Sequence, residues 1–437
     1  MTVFRLVVGS LNVRRFVRTL LAVGLAVPVV VLTPWSAGDG RGDLVARFLF
    51  SVAVILLVCH LLGALLRRWG QPPVLGEILG GLVLGPSLLG LVSPSIQDWL
   101  FPPEVTTGLN FAAQLGLITF MFQLGCELHP ERIVSKKVVG GVVLGGMGLP
   151  FLAGVGIAAG SGGLAGDRAG LDQVLFFGVA MSITTLPVLA SVLVDLRLPG
   201  TAVGVTALSC AAIGDAVAWT ALTMVLAGSG DAVTTGLLAA AVVAFTFVGL
   251  RPMLALVVRH VASDQMLLGA LAVGAIGFAG LTQLIGLHPV IGAFLFGVAV
   301  PRGDPAIERI SQHLRGFALA ILLPLFFAGV GLSTSVGLLG GDAGHWLLFA
   351  AVLGAAMVTK YVGTGTGAML GGASRRQAIQ LGTLMNCRGV TELVVATIGL
   401  QAGLISRLAF TMLVLVAIVT TAITGPVMRY LIRPRTC

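Results

Sequence analysis

A chain of 437 residues that is 57% hydrophobic and only 10% charged is not a water-soluble protein, where about a quarter of residues carry charge. The formal net charge of +9 requires no nucleic acid as partner, because cytoplasmic loops of membrane proteins collect Lys and Arg as a rule of insertion. At about 20 apolar residues per span the chain has room for about 12 to 15 spans. The longest connections, 34–44, 91–107 and 301–316, are too short to fold alone, so neither a soluble domain nor a cleaved signal peptide is expected. Cys59, Cys126, Cys210 and Cys387 sit within or beside apolar runs and Cys437 is the last residue. These spacings give neither a disulfide framework nor a metal site.

Apolar runs set against their polar punctuation predict fourteen helices. In chain order they fall near 17–34, 46–66, 73–91, 108–128, 138–160, 173–194, 201–227, 232–250, 265–285, 288–300, 317–335, 345–370, 378–400 and 408–428. With a cytoplasmic N-terminus, alternate loops hold 20 of the 26 basic residues, among them Arg67, Arg68, Lys136, Lys137, Arg375 and Arg376. The opposite side keeps Arg41, Arg47, Arg168 and Arg407, and Lys360 and Arg388 fall within spans. That asymmetry predicts both termini on the cytoplasmic side of a bacterial-type cell (inner) membrane.

Two stretches echo each other in order. GEILGGLVLGP from Gly76 matches GAFLFGVAVPR from Gly292, each short, Gly-rich and closed by Pro, and LGLITFMFQLGCEL matches LPLFFAGVGLSTS. Three spans after each short helix comes one interrupted by helix-poor residues, SITTLPVL at 182–189 and MNCRGVTELV at 385–394. Seven spans separate the copies, so equivalent helices cross in opposite directions. The chain reads as an all-α polytopic protein of about fourteen transmembrane helices with two inverted-topology six-helix repeats, the arrangement in which substrate sites lie at discontinuous helices. The expected divisions are 1–44, a tail and extra helix; 45–228, the first repeat; 229–264, a linker helix; 265–430, the second repeat; and 431–437, a cytoplasmic tail.

An ionisable side chain inside a bilayer costs at least about 2.5–3.5 kcal/mol, so each is a functional candidate. Asp215 lies mid-span between LSCAAIG and AVAW. It is either a carboxylate satisfied within the bundle or a site that holds a proton or a small cation in competition. In the sixth span Pro187 removes a backbone donor, and Ser182, Thr184 and Thr185 offer hydroxyls as cation ligands; the alternative is a simple proline kink. Lys360 is a counter-charge in the core or a lysine that reaches the interface. Arg388 and Glu392, four apart, can pair on one helix face for purely structural reasons, and Asn386 stands beside them in the interrupted span. Glu77 and Glu127 approach cytoplasmic ends of their spans, where mouth-lining and solvated roles both fit, and His60 and His288 read as packed polar residues. No HExxH, GxSxG or spaced Asp pair points to an enzyme, and no cofactor is implied.

These segments resemble the cation:proton antiporter-2 family, which includes Kef-type potassium-efflux proteins, plant cation/H+ exchangers and bacterial sodium/proton antiporters. GEILGGLVLGPSLLG, FMFQLGCEL, SITTLPVLASVL, AAIGDAVAW, GAFLFGVAVPR, LPLFFAGVGL and MNCRGVTELVVATIGL occur in family order between about residues 45 and 430. The resemblance implies a sodium/proton antiporter fold with crossed broken helices and a mobile core moving against a dimerising panel, hence a homodimer in a lipid bilayer. It implies exchange of a monovalent cation, Na+ or K+, for H+, with Asp215 as the shared and transient ion site and Lys360 as an intramembrane lysine. Two departures stand out. The residue before the ion-binding Asp is Gly214 rather than Asp, Asn or Gln, so a second ligand is missing and Lys360 needs another partner. The chain also ends soon after the last span, so a nucleotide-binding regulatory domain is expected to be absent. A channel-like efflux pathway and an antiporter-fold exporter of an organic ion remain as alternatives.

Overall fold

The computed structural model describes residues 40–432 except 128–134, 168–169, 227–231, 262, 286–288, 302–306, 308, 311–313, 315 and 341. The first predicted span at 17–34, His288, Arg132, Arg168, Arg302 and Arg315 lie outside the described residues. The described chain is helical apart from connections and one isolated β-bridge, Ala165 with Ile405. Its helices are α1 (Gly40–Arg68), α2 (Pro73–Leu84), α3 (Pro103–Glu127), α4 (Lys136–Gly160), α5 (Leu171–Ser182), α6 (Leu186–Asp195) and α7 (Ala202–Leu226). They continue with α8 (Ala232–Phe245), α9 (Arg251–His260), α10 (Asp264–Leu284), α11 (Pro289–Ala299), α12 (Leu323–Leu332), α13 (Ala343–Leu370), α14 (Arg375–Leu384), α15 (Val390–Gln401) and α16 (Arg407–Ile432).

Among the described residues, ten helices are long and apolar enough to cross a membrane, and α5, α11 and α15 are shorter apolar helices. The eighth predicted span was expected to end at 250, yet the helix runs through a π-turn at Thr246–Leu250 into α9. The apolar run stops before the helix does because α9 carries its polar end outward, closing on Arg259 and His260 in its last turn, cations that suit a helix C-terminus. Local chemistry sets many starts. Ser135 caps α4 by accepting from Val138 N–H at 3.4 Å, Asp342 caps α13 through Gly344 N–H at 2.8 Å, and Ser374 with Gln377 forms a capping box on α14.

Large apolar side chains point outward, Leu144, Leu284, Leu347 and Leu370 among them, while Asp215, Lys360, Arg388 and Glu392 are enclosed. This inside-out polarity suits lipid rather than water as the surrounding solvent. The helices pack as two groups. In one, α4, α5, α6 and α7 pack with α13, α14, α15 and α16; in the other, α1, α2 and α3 pack with α10, α11 and α12.

Glycines let backbones touch where helices cross, as small residues do in membrane interfaces. A methyl added at Gly81 would run into the Ala328 carbonyl, and one at Gly331 into that of Ile78; at Gly297 it would strike the Phe122 carbonyl, and at Gly125 that of Phe294. The α2–α12 contact and the α11–α3 contact are thus built alike, glycine and struck carbonyl lying three residues apart on every helix. Between α4 and α13, Gly145 meets Gly363 and Gly141 meets Gly367 in the same mutual way.

Two glycines of α4 separate packing from propensity. Gly148 has nothing within 4 Å of an added Cβ, whereas at Gly145 the Gly363 carbonyl is in the way. Gly148→Ala should raise the thermal unfolding temperature of the detergent-purified protein, by about 0.5–1 kcal/mol of helix propensity. Gly145→Ala should lower it by about 1–3 kcal/mol of overpacking. Equal shifts for the two would show that α4 and α13 do not touch as described.

Candidate functional site

α5 stops at Ser182 because the β-branched residues Ile183, Thr184 and Thr185 follow, with Ile183 and Thr185 extended (ψ 142° and 112°), and Pro187 starts α6 from its first turn. The interruption expected within 182–189 is therefore three residues, 183–185. The second one separates α14 from α15 at 385–389. The two breaks meet. Thr184 Oγ1 donates to the Met385 carbonyl at 3.0 Å, and Thr185 N–H donates to the Cys387 carbonyl at 3.2 Å. Gly389 permits the approach, since a Cβ there would press on Val188 Cγ2 at 2.7 Å. Thr421 of α16 secures the second break from behind, accepting from Arg388 N–H at 3.0 Å and donating to the Arg388 carbonyl.

Four charged side chains surround this junction, and three of them contact backbone at a helix end. Arg388 is fully buried and donates from Nη2 to the Met181 carbonyl at 2.5 Å, from Nη1 to Glu392 Oε1 at 2.8 Å and, more weakly, to the Ala180 carbonyl at 3.5 Å. Lys360 of α13 donates to the Ser182 carbonyl. Both cations thus sit on the last turn of α5, whose carbonyls have no helical partner and form the negative pole of the helix dipole. The carboxylate of Asp215, on α7, lies at the opposite pole of the same break, where its Oδ2 accepts from Leu186 N–H of α6 at 3.4 Å. Glu392, in the first turn of α15, completes the set.

Of the candidate ligands, Ser182 and Thr184 are spent on backbone, Ser182 Oγ donating to Val179 at 2.7 Å. Asn386 donates to Gly382 at 2.9 Å, and its Oδ1 has no partner. Thr185 Oγ1 and Asp215 Oδ1 are also buried without a hydrogen-bond partner. Thr391, which the sequence did not single out, joins them: its hydroxyl lies beside the Asp215 carboxylate and bonds no other group. Its position, two residues past Gly389 in a break already expected, was the available signal. A Cβ at Gly214 would meet Met147 Sδ alone, at 3.4 Å. Lys360 is 1% exposed, which answers the choice between core and interface in favour of the core.

The other candidates stay away from the junction. His60 bonds the Leu56 carbonyl of its own helix at 2.8 Å, Glu77 is half-buried in α2 within electrostatic reach of Arg67, and Glu127 is the last residue of α3. Cys59, Cys126, Cys210 and Cys387 form no disulfide. Among the described residues no group of three or more His, Cys, Asp or Glu side chains could hold a metal ion.

A multi-pass helical membrane protein with two broken helices meeting around enclosed charges belongs structurally with secondary transporters. Residues 53–433 match the family described as sodium/hydrogen exchanger, transmembrane, and the chain belongs to that family. It is 36% identical to the Na(+)/H(+) antiporter NhaS4 of Synechocystis, covering 86% of this chain and 95% of that protein. It is 35% identical to cation/H(+) antiporter 20 of Arabidopsis thaliana over 91% of its own length, but spans only 50% of that longer relative. The fold is similar to that of the sodium proton antiporter MjNhaP1 of Methanocaldococcus jannaschii, with a TM-score of 0.64 at 14% identity, over 88% of this chain and 98% of the other.

The Arg388–Glu392 pair gives a stability test. Removing one partner leaves the other charge buried and unpaired, which costs about 3–5 kcal/mol. Glu392→Ala and Arg388→Met should each sharply lower the unfolding temperature of the purified protein. Arg388→Met should be the worse of the two, because it also releases the Met181 carbonyl. Wild-type unfolding temperatures in both would mean that the pair is open to water.

Proposed function

We propose that this protein exchanges a monovalent cation, Na+ or K+, for protons by alternating access, with the Asp215 carboxylate holding one or the other in turn. The observation that carries this is an enclosed carboxylate with one oxygen fixed on the α6 N-terminus and the other unpaired. Such an oxygen must take a proton or a cation, because bare charge without a partner is costly in a low-dielectric interior. Two ligands that compete for one site are coupled without further machinery. The family and the relatives' printed activities support exchange, and they support transport rather than catalysis.

The fold reading behind this is fourteen spans in two inverted repeats, at 45–228 and 265–430, joined by a linker helix. Its support is the matched glycine contacts of α2 with α12 and of α11 with α3, which a pseudo-two-fold axis would interchange. The group around the junction would be the moving core and the group of α1–α3 with α10–α12 the panel, through which two copies pair. Both termini would face the cytoplasm in a cell membrane. Thr185, Thr184 and Ser182 frame the ion path, and Lys360, Arg388, Glu392 and Asn386 hold the junction's charge and geometry.

Asp215→Asn keeps the shape and removes the titrating charge, so it should abolish cation-dependent proton movement in proteoliposomes while leaving expression near wild type. Normal exchange in that variant would remove Asp215 from the mechanism. Orientation is checked by single cysteines: at Lys137 and Arg375 they should label from the cytoplasm, at Asp98 and Asp342 from outside. Labelling of all four from one side would refute the topology.

Charge balance follows from Lys360. Its ammonium is held by the Ser182 carbonyl rather than by Asp215, so a cation arriving at Asp215 breaks no ion pair and displaces only a proton. One-for-one electroneutral exchange is expected. A membrane current on imposing a cation gradient, or rates that follow an imposed voltage at fixed pH, would contradict it.

A further inference from the structure

A buried threonine in a helix ordinarily donates its hydroxyl to the carbonyl four residues earlier. Thr383, Thr397, Thr420 and Thr424 do so here, onto Ile379, Leu393, Val416 and Thr420 at 2.8–2.9 Å. Thr185 and Thr391 at the junction do not, nor do Thr364 of α13 and Thr411 of α16; what sets the first two apart is their place at the breaks next to Asp215 and its Leu186 contact. For Thr391 the carbonyl four back is that of Cys387, which accepts Thr185 N–H instead. For Thr185 it is that of Met181, which Arg388 takes. The breaks take both hydroxyls out of helical register with those carbonyls, since Ile183 and Thr185 are extended and α15 begins only at Val390, so neither enclosed hydroxyl has a backbone acceptor. Thr391 lies beside the Asp215 carboxylate and Thr185 directly precedes Leu186, whose N–H holds its other oxygen. Enclosed hydroxyls without a backbone acceptor next to an unpaired carboxylate oxygen are a costly arrangement unless something they can bind together comes between them.

We infer that Thr391 is a cation ligand, and that with Asp215 Oδ1 and the Thr185 hydroxyl it forms one oxygen set drawn from both breaks. This rests on the exchange reading above and adds to it the partner that binds opposite Asp215. Hard cations bind oxygen, and a hydroxyl presents lone pairs to a cation as readily as a hydrogen to a carboxylate. Thr391 can therefore donate to Asp215 when the site is otherwise empty, and turn its lone pairs on the cation when one arrives. Gly214 leaves room for a side chain toward Met147 but supplies none, so the hydroxyls are what the site has besides the carboxylate. A cation held this way ties the first break to the second, and its departure unties them.

The test uses the full chain in detergent and in proteoliposomes, with Na+ and K+ as probes, and Thr391→Val, Thr391→Ser and Asp215→Asn as variants. Thr391→Val keeps the shape and removes only the hydroxyl. Without added cation it should unfold close to the wild-type temperature, because the hydroxyl it removes bonds no backbone group and reaches only the Asp215 carboxylate. Its cation affinity by calorimetry at alkaline pH should be about tenfold weaker, and the stabilisation that cation gives should shrink with it. In exchange assays the apparent KM for the cation should rise by the same factor. Thr391→Ser, which keeps the hydroxyl, should restore affinity. Unchanged cation affinity in Thr391→Val, or a loss of stability without cation that serine repairs, would overturn the assignment in favour of a structural role. Cation binding that depends on Thr391 and Asp215 but moves no protons would keep the ligand and discard exchange. No cation binding by the wild-type protein would discard both.

Discussion

Two helices broken inside a bilayer leave backbone N–H and C=O groups that water cannot reach, and the rest of the site follows from how those groups are satisfied. An unsatisfied backbone group in lipid costs several kcal/mol, so the breaks survive only because they meet each other and because charges stand at their ends. Arg388 and Lys360 occupy the C-terminal end of α5 and Asp215 the N-terminal end of α6. The charges that look extravagant in so apolar a chain are the counterpart of the breaks, and the breaks are what make a charge tolerable there.

The same economy leaves each of the two carboxylates with one unpaired oxygen, Asp215 Oδ1 and Glu392 Oε2. Arg388 and Glu392 close on each other at 2.8 Å with neither exposed, and Lys360 is committed to a carbonyl. Asp215 alone is held by a single weak contact of 3.4 Å from Leu186. The Asp215 carboxylate is not saturated by protein donors: it is oriented by the helix terminus, with Oδ1 left unpaired. Removing the neighbours' flexibility matters as much. Gly145 against Gly363 brings α4 and α13 to backbone contact, three residues beyond Lys360, so the lysine is presented to α5 from a helix that has little freedom to shift.

The packing also separates what is rigid from what can move. Within each helix group, glycines and small residues give backbone-to-backbone contact, whereas between the groups the contacts include α12 with α15, Gln71 donating to the Ala422 carbonyl of α16 at 3.0 Å, and Arg429 of α16 reaching the Gly70 and Trp69 carbonyls at 3.4 and 3.5 Å. Large two-sided rearrangement is easier across a surface of that kind than through an interdigitated core. Asp215, Lys360, Arg388 and Glu392 all lie within one group.

The sequence by itself determined the solvent, the places where helices break and the identity of the enclosed charges. Each is a property of local composition: a run of apolar residues has only lipid to bury in, the β-branched run Ile183, Thr184 and Thr185 followed by Pro187 disfavours a continuous helix, and a charge flanked by apolar residues has nowhere wet to go. It also showed the Gly-rich echo of Gly76–Pro86 and Gly292–Pro301, because close helix contact demands glycine wherever it occurs. The tertiary structure decided which polar atoms are used and which are free. Ser182 and Thr184 looked as much like ligands as Thr185 does, and only the meeting of the two breaks, some two hundred residues apart, takes up Thr184 at Met385 and leaves Thr185 unpaired. Thr391 reads in sequence as one more threonine on a helix; in the structure it stands in the first turn after the second break, beside Asp215. A hydroxyl's availability depends on whether the carbonyl four residues back stays in helical register with it, and that is settled by where the breaks fall and how distant segments hold them open.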